Sequence, residues 1–360
     1  MIKIKPIVLP KDNGPHDFGV EWWYFNGHLQ DKGGKKYSFM DCFFKVNLYE
    51  VGIPHILPHM IEEHLKNGEY IHFAHSVISN ISNKKSFKEV QNISLISKDS
   101  FKKKLLYIAY KDPIDLYNIS NSEIIETTPN NFYIKTKNLN LNLVSNKKPL
   151  LEGGHGYVGT PKAGSYYYSL TDLSVKGNIN IEGKEIEVEG KAWMDHQWAN
   201  VVYKKDKWTW FSFQFDNGTE IMFVEYDKGG GEGIDTLIDI IDKNGKQTQY
   251  KKAIIKPSKK IWESEETKAK YPLSWNIEIP GAGIKIKVDS LLKDQEIIFG
   301  QINYWEGPVK VTAIMNGNKI NGNGFMELVG YPSDYNYLLI AGKEFEKNIE
   351  HKVEKLLKNK

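Results

Sequence analysis

The stretch Phe211-Ser212-Phe213-Gln214-Phe215-Asp216-Asn217-Gly218-Thr219-Glu220-Ile221-Met222-Phe223-Val224 places two apolar runs on either side of Asn-Gly. In the first run phenylalanine alternates with polar residues, the period of a strand that buries one face. Asn-Gly supplies the positive φ angles that a tight hairpin turn needs. The same signal recurs along the chain. Asp31-Lys32-Gly33-Gly34 separates residues 25–29 from 37–44, Lys243-Asn244-Gly245 closes a third hairpin, and Asn316-Gly317-Asn318 a fourth. Leu139-Asn140-Leu141-Asn142-Leu143 and Ile284-Lys285-Ile286-Lys287-Val288 alternate cleanly. The chain is therefore predicted to be mainly antiparallel β, in meanders that curl into barrels or sandwiches around a cavity. Helix candidates are few. One is residues 58–66. The other is the C-terminal stretch 345–357, where Phe345, Ile349, Val353, Leu356 and Leu357 share a face and lysines cover the rest.

A length of 360 residues suits two domains, each with its own core. The polar, lysine-rich segment 200–207 marks the expected break, giving domains of 1–198 and 199–360. A net charge of +3 calls for no electrostatic partner, and all 48 cationic side chains are lysine. Without arginine the chain lacks the guanidinium fork that reads phosphate and guanine, so no nucleic-acid partner is expected. It also lacks a signal peptide and any apolar run long enough to span a bilayer, and a cytoplasmic location follows as the expectation. The basic C-terminal helix is the one feature suited to peripheral membrane contact. Cys42, the single cysteine, has no partner for an internal disulfide and reads as a small buried strand residue. The 9 Trp, 20 Tyr and 16 Phe suit strands, and they suit large apolar ligands equally well.

Chemistry concentrates in Ala192-Trp193-Met194-Asp195-His196-Gln197-Trp198. Alternating residues lead into this run, so it reads as a strand with Trp193, Asp195 and Gln197 on one face and Met194, His196 and Trp198 on the other. An acid among aromatic rings is costly to ionise, which makes Asp195 a candidate proton donor that stays neutral near pH 7. The alternative for Asp195 is a structural acceptor of hydrogen bonds. His196, facing away from it, has a structural alternative too. Trp22, Trp23, Tyr168, Trp193 and Tyr304 are candidates to stabilise a cation formed by protonating an alkene. Glu21 is either a second pocket carboxylate or a partner for lysine, and Glu306, before Gly307-Pro308, is expected to fix a turn or a domain contact. His72 and His75 do not share a strand face, and His-Glu-x-x-His is absent, so no metal is expected. Nucleophile elbow, phosphate loop and dinucleotide fingerprint are all missing, so no cofactor is expected either.

Four segments in order make the chain similar to a known family: Glu21-Trp22-Trp23-Tyr24, His72-Phe73-Ala74-His75, Ser165-Tyr166-Tyr167-Tyr168-Ser169 with the Asp195 run, and Tyr304-Trp305-Glu306 with residues 322–331. Together they resemble the carotenoid 1,2-hydratase and AttH-like family, which is related to fungal kievitone hydratase and Diels–Alderases. The resemblance implies two lipocalin-like β-barrel domains and a hydrophobic cavity near their contact, holding an isoprenoid or polyketide-like ligand. It also implies that Asp195 protonates a carbon–carbon double bond and that water captures the cation. Trp193 stands where the carotenoid enzymes carry a tyrosine, and Tyr166 and Tyr168 where they carry histidine and tryptophan. The candidate substrate contacts are thus Trp22, Trp23, Tyr166, Tyr168, Trp193, His196 and Tyr304. The expected activity is that of a cofactor-free hydratase or lyase. A non-catalytic carrier of a lipophilic molecule and a pericyclase are the alternatives.

Overall fold

The computed structural model describes residues 4–47, 70–96, 105–110, 122–161, 163–200, 207–227, 234–299 and 302–331. Both helix candidates, 58–66 and 345–357, lie outside these residues. Within them the chain is nearly all strand, with three short 3-10 turns at Lys11–Asn13, Glu152–Gly154 and Pro280–Ala282. Gly218 and Gly245 take positive φ at two of the Asn-Gly turns, 77° and 78°, without their asparagines doing so. Asn316 and Gly317 both have positive φ, 50° and 78°, between the paired residues Met315 and Asn318.

The strands form two large antiparallel sheets. The path of the first runs Lys85–Ile96, Tyr70–Asn80, Lys36–Val46, Val20–Asp31, Lys184–Ala199, Ala163–Ile181, Leu139–Ser145, Asn131–Lys135, Ser122–Thr128, Tyr107–Tyr110. The second runs Gln247–Tyr250, Ile234–Ile241, Glu220–Asp227, Lys207–Phe215, Asn318–Val329, Ile302–Met315, Ile284–Ser290, Ser274–Ile279, Ile254–Pro257. Each sheet thus pairs its earliest long strand with its last, Val20–Asp31 with Lys184–Ala199 and Lys207–Phe215 with Asn318–Val329.

Both sheets curl. In the first, Phe25 and Phe132 lie four strands apart along the sheet, yet their ring centroids are 5.5 Å apart. Four steps across a flat sheet would separate them by about 19 Å. Phe211 and Trp275 of the second sheet, also four strands apart, approach to 6.1 Å. Each curl closes on its own apolar interior. Trp23, Phe25, Phe39, Phe43 and Tyr168 fill the first, and Phe211, Phe213, Tyr271 and Trp305 the second. A third cluster lies between the sheets and draws side chains from both, including Tyr24, Cys42, Tyr167 and Trp193 from the first and Trp210, Met222, Tyr304 and Phe325 from the second.

The strands beside the motif run too close together for a side chain at one point. A Cβ added at Gly190 would lie 2.0 Å from the carbonyl oxygen of His28 and 2.9 Å from the Cα of Leu29. Backbone cannot yield there without parting the Val20–Asp31 and Lys184–Ala199 ladder. Gly190→Ala should therefore lower stability by about 1–3 kcal/mol in urea titration, the usual cost of overpacking; an unchanged midpoint would contradict this close approach.

Candidate active site

Alternation along Lys184–Ala199 splits the motif between two environments. Met194 and Trp198 join the interior of the first sheet, while Trp193 joins the cluster between the sheets. Asp195 shares the Trp193 face. Register aligns Asp195 with Tyr24, Tyr24 with Cys42, and Cys42 with His75; on its other side Asp195 is aligned with Ser169. Five side chains from five neighbouring strands therefore form one row. The second sheet sets Trp210 against Glu327, and Glu327 against Glu306.

Polar contacts cross between these walls. The Tyr24 hydroxyl donates to Glu306 Oε1 at 2.7 Å, the Trp210 indole donates to the Tyr167 hydroxyl at 3.0 Å, and His75 Nδ1 meets the Tyr304 hydroxyl at 2.5 Å. Rings close the space around them. Tyr24 meets Trp210 edge to face at 5.6 Å, and Trp193 meets Trp210 likewise at 6.5 Å.

Asp195 is 3% exposed. Its Oδ1 accepts the Trp193 indole N–H at 2.5 Å and a contact from Ser169 Oγ at 2.6 Å, and its Oδ2 accepts the Tyr167 hydroxyl at 2.5 Å. Burial pushes the carboxyl up from the ordinary aspartate range, and the hydrogen bonds from Ser169, Tyr167 and Trp193 hold it back, leaving its pKa at about 6. The shift has the direction expected of an acid among aromatic rings, and the donors limit it. Aromatic burial alone would keep the proton, but three donors stabilise the carboxylate.

Four more carboxyls line the same contact. Glu152 meets Ser169 at 2.6 Å and stands beside Asp239, which accepts the Gly153 N–H at 2.9 Å. Glu306 and Glu327 are opposed across the Ile302–Met315 and Asn318–Val329 ladder, with the Trp208 indole donating to Glu327 at 2.8 Å. Burial pushes Glu152 and Glu306 well above the glutamate range, each reinforced by its neighbouring carboxyl, and Glu327 up to about 7. Among the described residues no lysine pairs with any of these five acids. Oε2 of Glu152 and Oε2 of Glu306 are buried without a donor. The contact is proton-rich because ionising such groups together would leave buried like charges uncompensated.

The candidate residues divide on strand parity. Trp193 and Tyr304 lie with Asp195 between the sheets, and Trp22 packs at the margin of that cluster. Trp23, Tyr168 and His196 face the other way, and Tyr166 packs against the first interior, so these four do not line the Asp195 wall. The Trp23 indole donates to the Asn13 carbonyl at 2.9 Å and its ring stacks on His196 at 4.8 Å. Tyr168 bonds Asn13 and His196, while Tyr166 stacks on Trp198 at 5.1 Å. Glu21 is a buried partner of lysine. It takes Lys45 Nζ at 3.1 Å, His16 Nδ1 at 2.8 Å and His196 Nε2 at 2.9 Å. His16, Glu21 and His196 converge, with the two histidine rings on Glu21 Oε1 and the Lys45 ammonium and His16 backbone N–H on Oε2, so Glu21 is the centre of a buried ion pair. Glu306 sits mid-strand, where its bond to Tyr24 makes it a contact between the sheets. The surface depression of about 530 Å³ lined by Phe87, Lys88, Lys137, Asn138, Asn180, Glu182 and Gly183 is remote from this chemistry. Thirteen residues of extended chain separate Glu182 from Asp195, roughly 40 Å.

A family model described as AttH-like matches residues 2–331. The chain belongs to the AttH-like family. Other relatives agree on the architecture. A putative AttH from Nitrosomonas europaea superposes with a TM-score of 0.74 at 25% identity, over 91% of this chain and 98% of that one. Kievitone hydratase from Nectria haematococca superposes at 0.68 and 15% identity, over 90% and 93%. Dehydratase asqC of Emericella nidulans is 24% identical over 193 residues, 51% of this chain and 55% of its own length. The chain spans about half the length of the curated relatives it matches. As in its AttH-like neighbours, the lipocalin-like fold here is carried by two antiparallel sheets.

Several residues at the AttH-like site escaped the sequence reading. Tyr24 and Ser169 were within quoted motifs, and their parity with Asp195 was the available signal. Glu152, Asp239, Trp210 and Glu327 carry no local pattern that links them to it. The raised pKa of Asp195 has a sign that stability can report. Its folded value lies above the unfolded one, so its contribution is present below about pH 4 and is lost as pH rises through about 6. Relative to Asp195→Asn, the wild type should lose about 2–3 kcal/mol between about pH 4 and pH 7.5 in urea titrations. A difference that stays constant with pH would contradict the raised value.

Proposed function

We propose that this AttH-like protein is a hydro-lyase-type enzyme that adds water across, or removes it to form, a C=C bond of an isoprenoid-like hydrophobic substrate at the contact between its sheets. The observation that carries this reading is Asp195, a buried carboxyl with a pKa near neutrality, set among Trp193, Trp210 and Tyr24. An acid with that pKa delivers a proton to carbon without being lost to solvent. As the C–H bond forms, the π electrons are withdrawn from the neighbouring carbon and a tertiary cation develops. Aromatic faces stabilise such a cation by about 0.5–2 kcal/mol each without trapping it. Water then attacks the cation and loses a proton, and the reverse sequence is dehydration. Hydratase and dehydratase, the names borne by two of the relatives, describe these two directions.

The acid-lined wall also favours a neutral substrate. A ligand carrying carboxylate or phosphate would lose its hydration there and find no lysine to pair with among the described residues of the contact. Incubation with acyclic terpenoid alkenes, followed by mass spectrometry, tests the reading. Wild type should yield products heavier by one water, and Asp195→Asn should lower that rate by about 100-fold or more, the usual contribution of a general acid. Equal turnover in the variant would remove the acid role, and ligand bound but returned unchanged would indicate a carrier.

A further inference from the structure

A serine hydroxyl carries one hydrogen. Ser169 Oγ lies 2.6 Å from Glu152 Oε1 and 2.6 Å from Asp195 Oδ1, so it can donate to only one of them. The other contact is a hydrogen bond only when a carboxyl proton points at the serine. Which carboxyl holds it follows from the remaining partners. Asp195 takes the Trp193 indole N–H, a group that only donates, and the Tyr167 hydroxyl, whose oxygen in turn accepts from Trp210. With Ser169 as third donor, Asp195 has the surroundings of a carboxylate. Glu152 is the opposite case. It is fully buried, its Oε2 meets no N–H or hydroxyl donor, and it is hydrogen-bonded to the Asp239 carboxyl, a pairing that requires a proton on one of the two acids.

We propose that Ser169 and Glu152 form a proton relay that charges Asp195, with the reserve proton held on Glu152 and delivered through the serine hydroxyl. In the transfer the Glu152 O–H bond breaks as its proton moves to Ser169 Oγ. The serine's own hydrogen moves to Asp195 Oδ1. Glu152 is left as a carboxylate and Asp195 as a neutral acid, with no change in total charge. The use of that proton rests on the acid role proposed for Asp195. When it forms the new C–H bond, water captures the cation, and the proton shed by that water returns along the same line to Glu152. One water is consumed per product and the relay is restored. Asp239 sits at the far end, held by the Gly153 N–H at 2.9 Å and Gln247 Nε2 at 3.0 Å, with His155 exposed beside it. Its carboxyl disfavours a lasting charge on Glu152, which drives the proton back after each cycle. Ser169 and Glu152 act through Asp195 and are positioning residues.

Infrared difference spectroscopy of the full chain near neutral pH tests the relay without any substrate, so its outcome is separate from that of the acid role. Of the carbonyl stretches given by protonated carboxyls, one should vanish in Glu152→Gln and persist in Asp195→Asn, while the one that Glu306 contributes, identified by its loss in Glu306→Gln, should remain in both. Loss of a band in Asp195→Asn, with none lost in Glu152→Gln, would place the resting proton on the aspartate and overturn the relay. Ser169 variants give a second route if Glu152→Gln fails to fold. Ser169→Ala removes the acceptor of the Glu152 proton and should shift the band to higher frequency, while Ser169→Thr should leave it in place. An identical band in Ser169→Ala would also overturn the proposal.

Discussion

A carboxyl group withdrawn from water with no cation beside it must keep its proton or be surrounded by donors. The contact between the two sheets of this protein applies that constraint five times, at Asp195, Glu152, Asp239, Glu306 and Glu327, and meets it in more than one way. Asp195 is given three donors and remains near the point of ionisation. Glu152 and Glu306 are denied donors at one oxygen and lie beside another carboxyl. Other buried acids among the described residues are fully supplied: Glu21 receives Lys45 and Glu220 receives Lys147, while Glu126 and Glu296 are surrounded by neutral donors. Glu152 and Glu306 differ from all of these in having one buried oxygen without a donor and a second carboxyl alongside.

The fold makes this surface by using both faces of its strands. Inward side chains fill each curled sheet with aromatic rings, which leaves the outward faces to meet each other. One residue of parity separates the two jobs. Trp23 ties the first sheet to Asn13 of the N-terminal segment and His196 bonds Glu21 within the sheet, while Tyr24, one position along, reaches Glu306 of the second sheet and Asp195 reaches it through Tyr167, which accepts from Trp210. A substitution on the inner row thus acts on packing, and one on the outer row acts on proton placement. The AttH-like fold couples the two through shared backbone.

Much of this was legible in the sequence. Asn-Gly turns and strict alternation specify antiparallel strands because they are local features, satisfied by a few neighbouring residues. Alternation also placed Asp195 and Trp193 on one face. It could not say what that face meets, since Trp210 and Glu306, 15 and 111 residues along the chain from Asp195, arrive from a second sheet. For the same reason the aromatics of the four motifs do not all share the Asp195 face. Trp23, Tyr166 and Tyr168 belong to conspicuous motifs, yet parity and the first interior claim them. Glu152 was invisible because its role comes from a 3-10 turn that brings it under Ser169, and nothing in Leu-Glu-Gly-Gly announces that approach.

The account stands on proton delivery to carbon, and isotope labelling reports that step most directly. Turnover of an acyclic terpenoid alkene in heavy water should give an alcohol bearing one carbon-bound deuterium next to the new C–O bond. A product formed without carbon-bound deuterium would show that no acid protonates the double bond, and would leave the buried carboxyls of this contact without the role assigned to them.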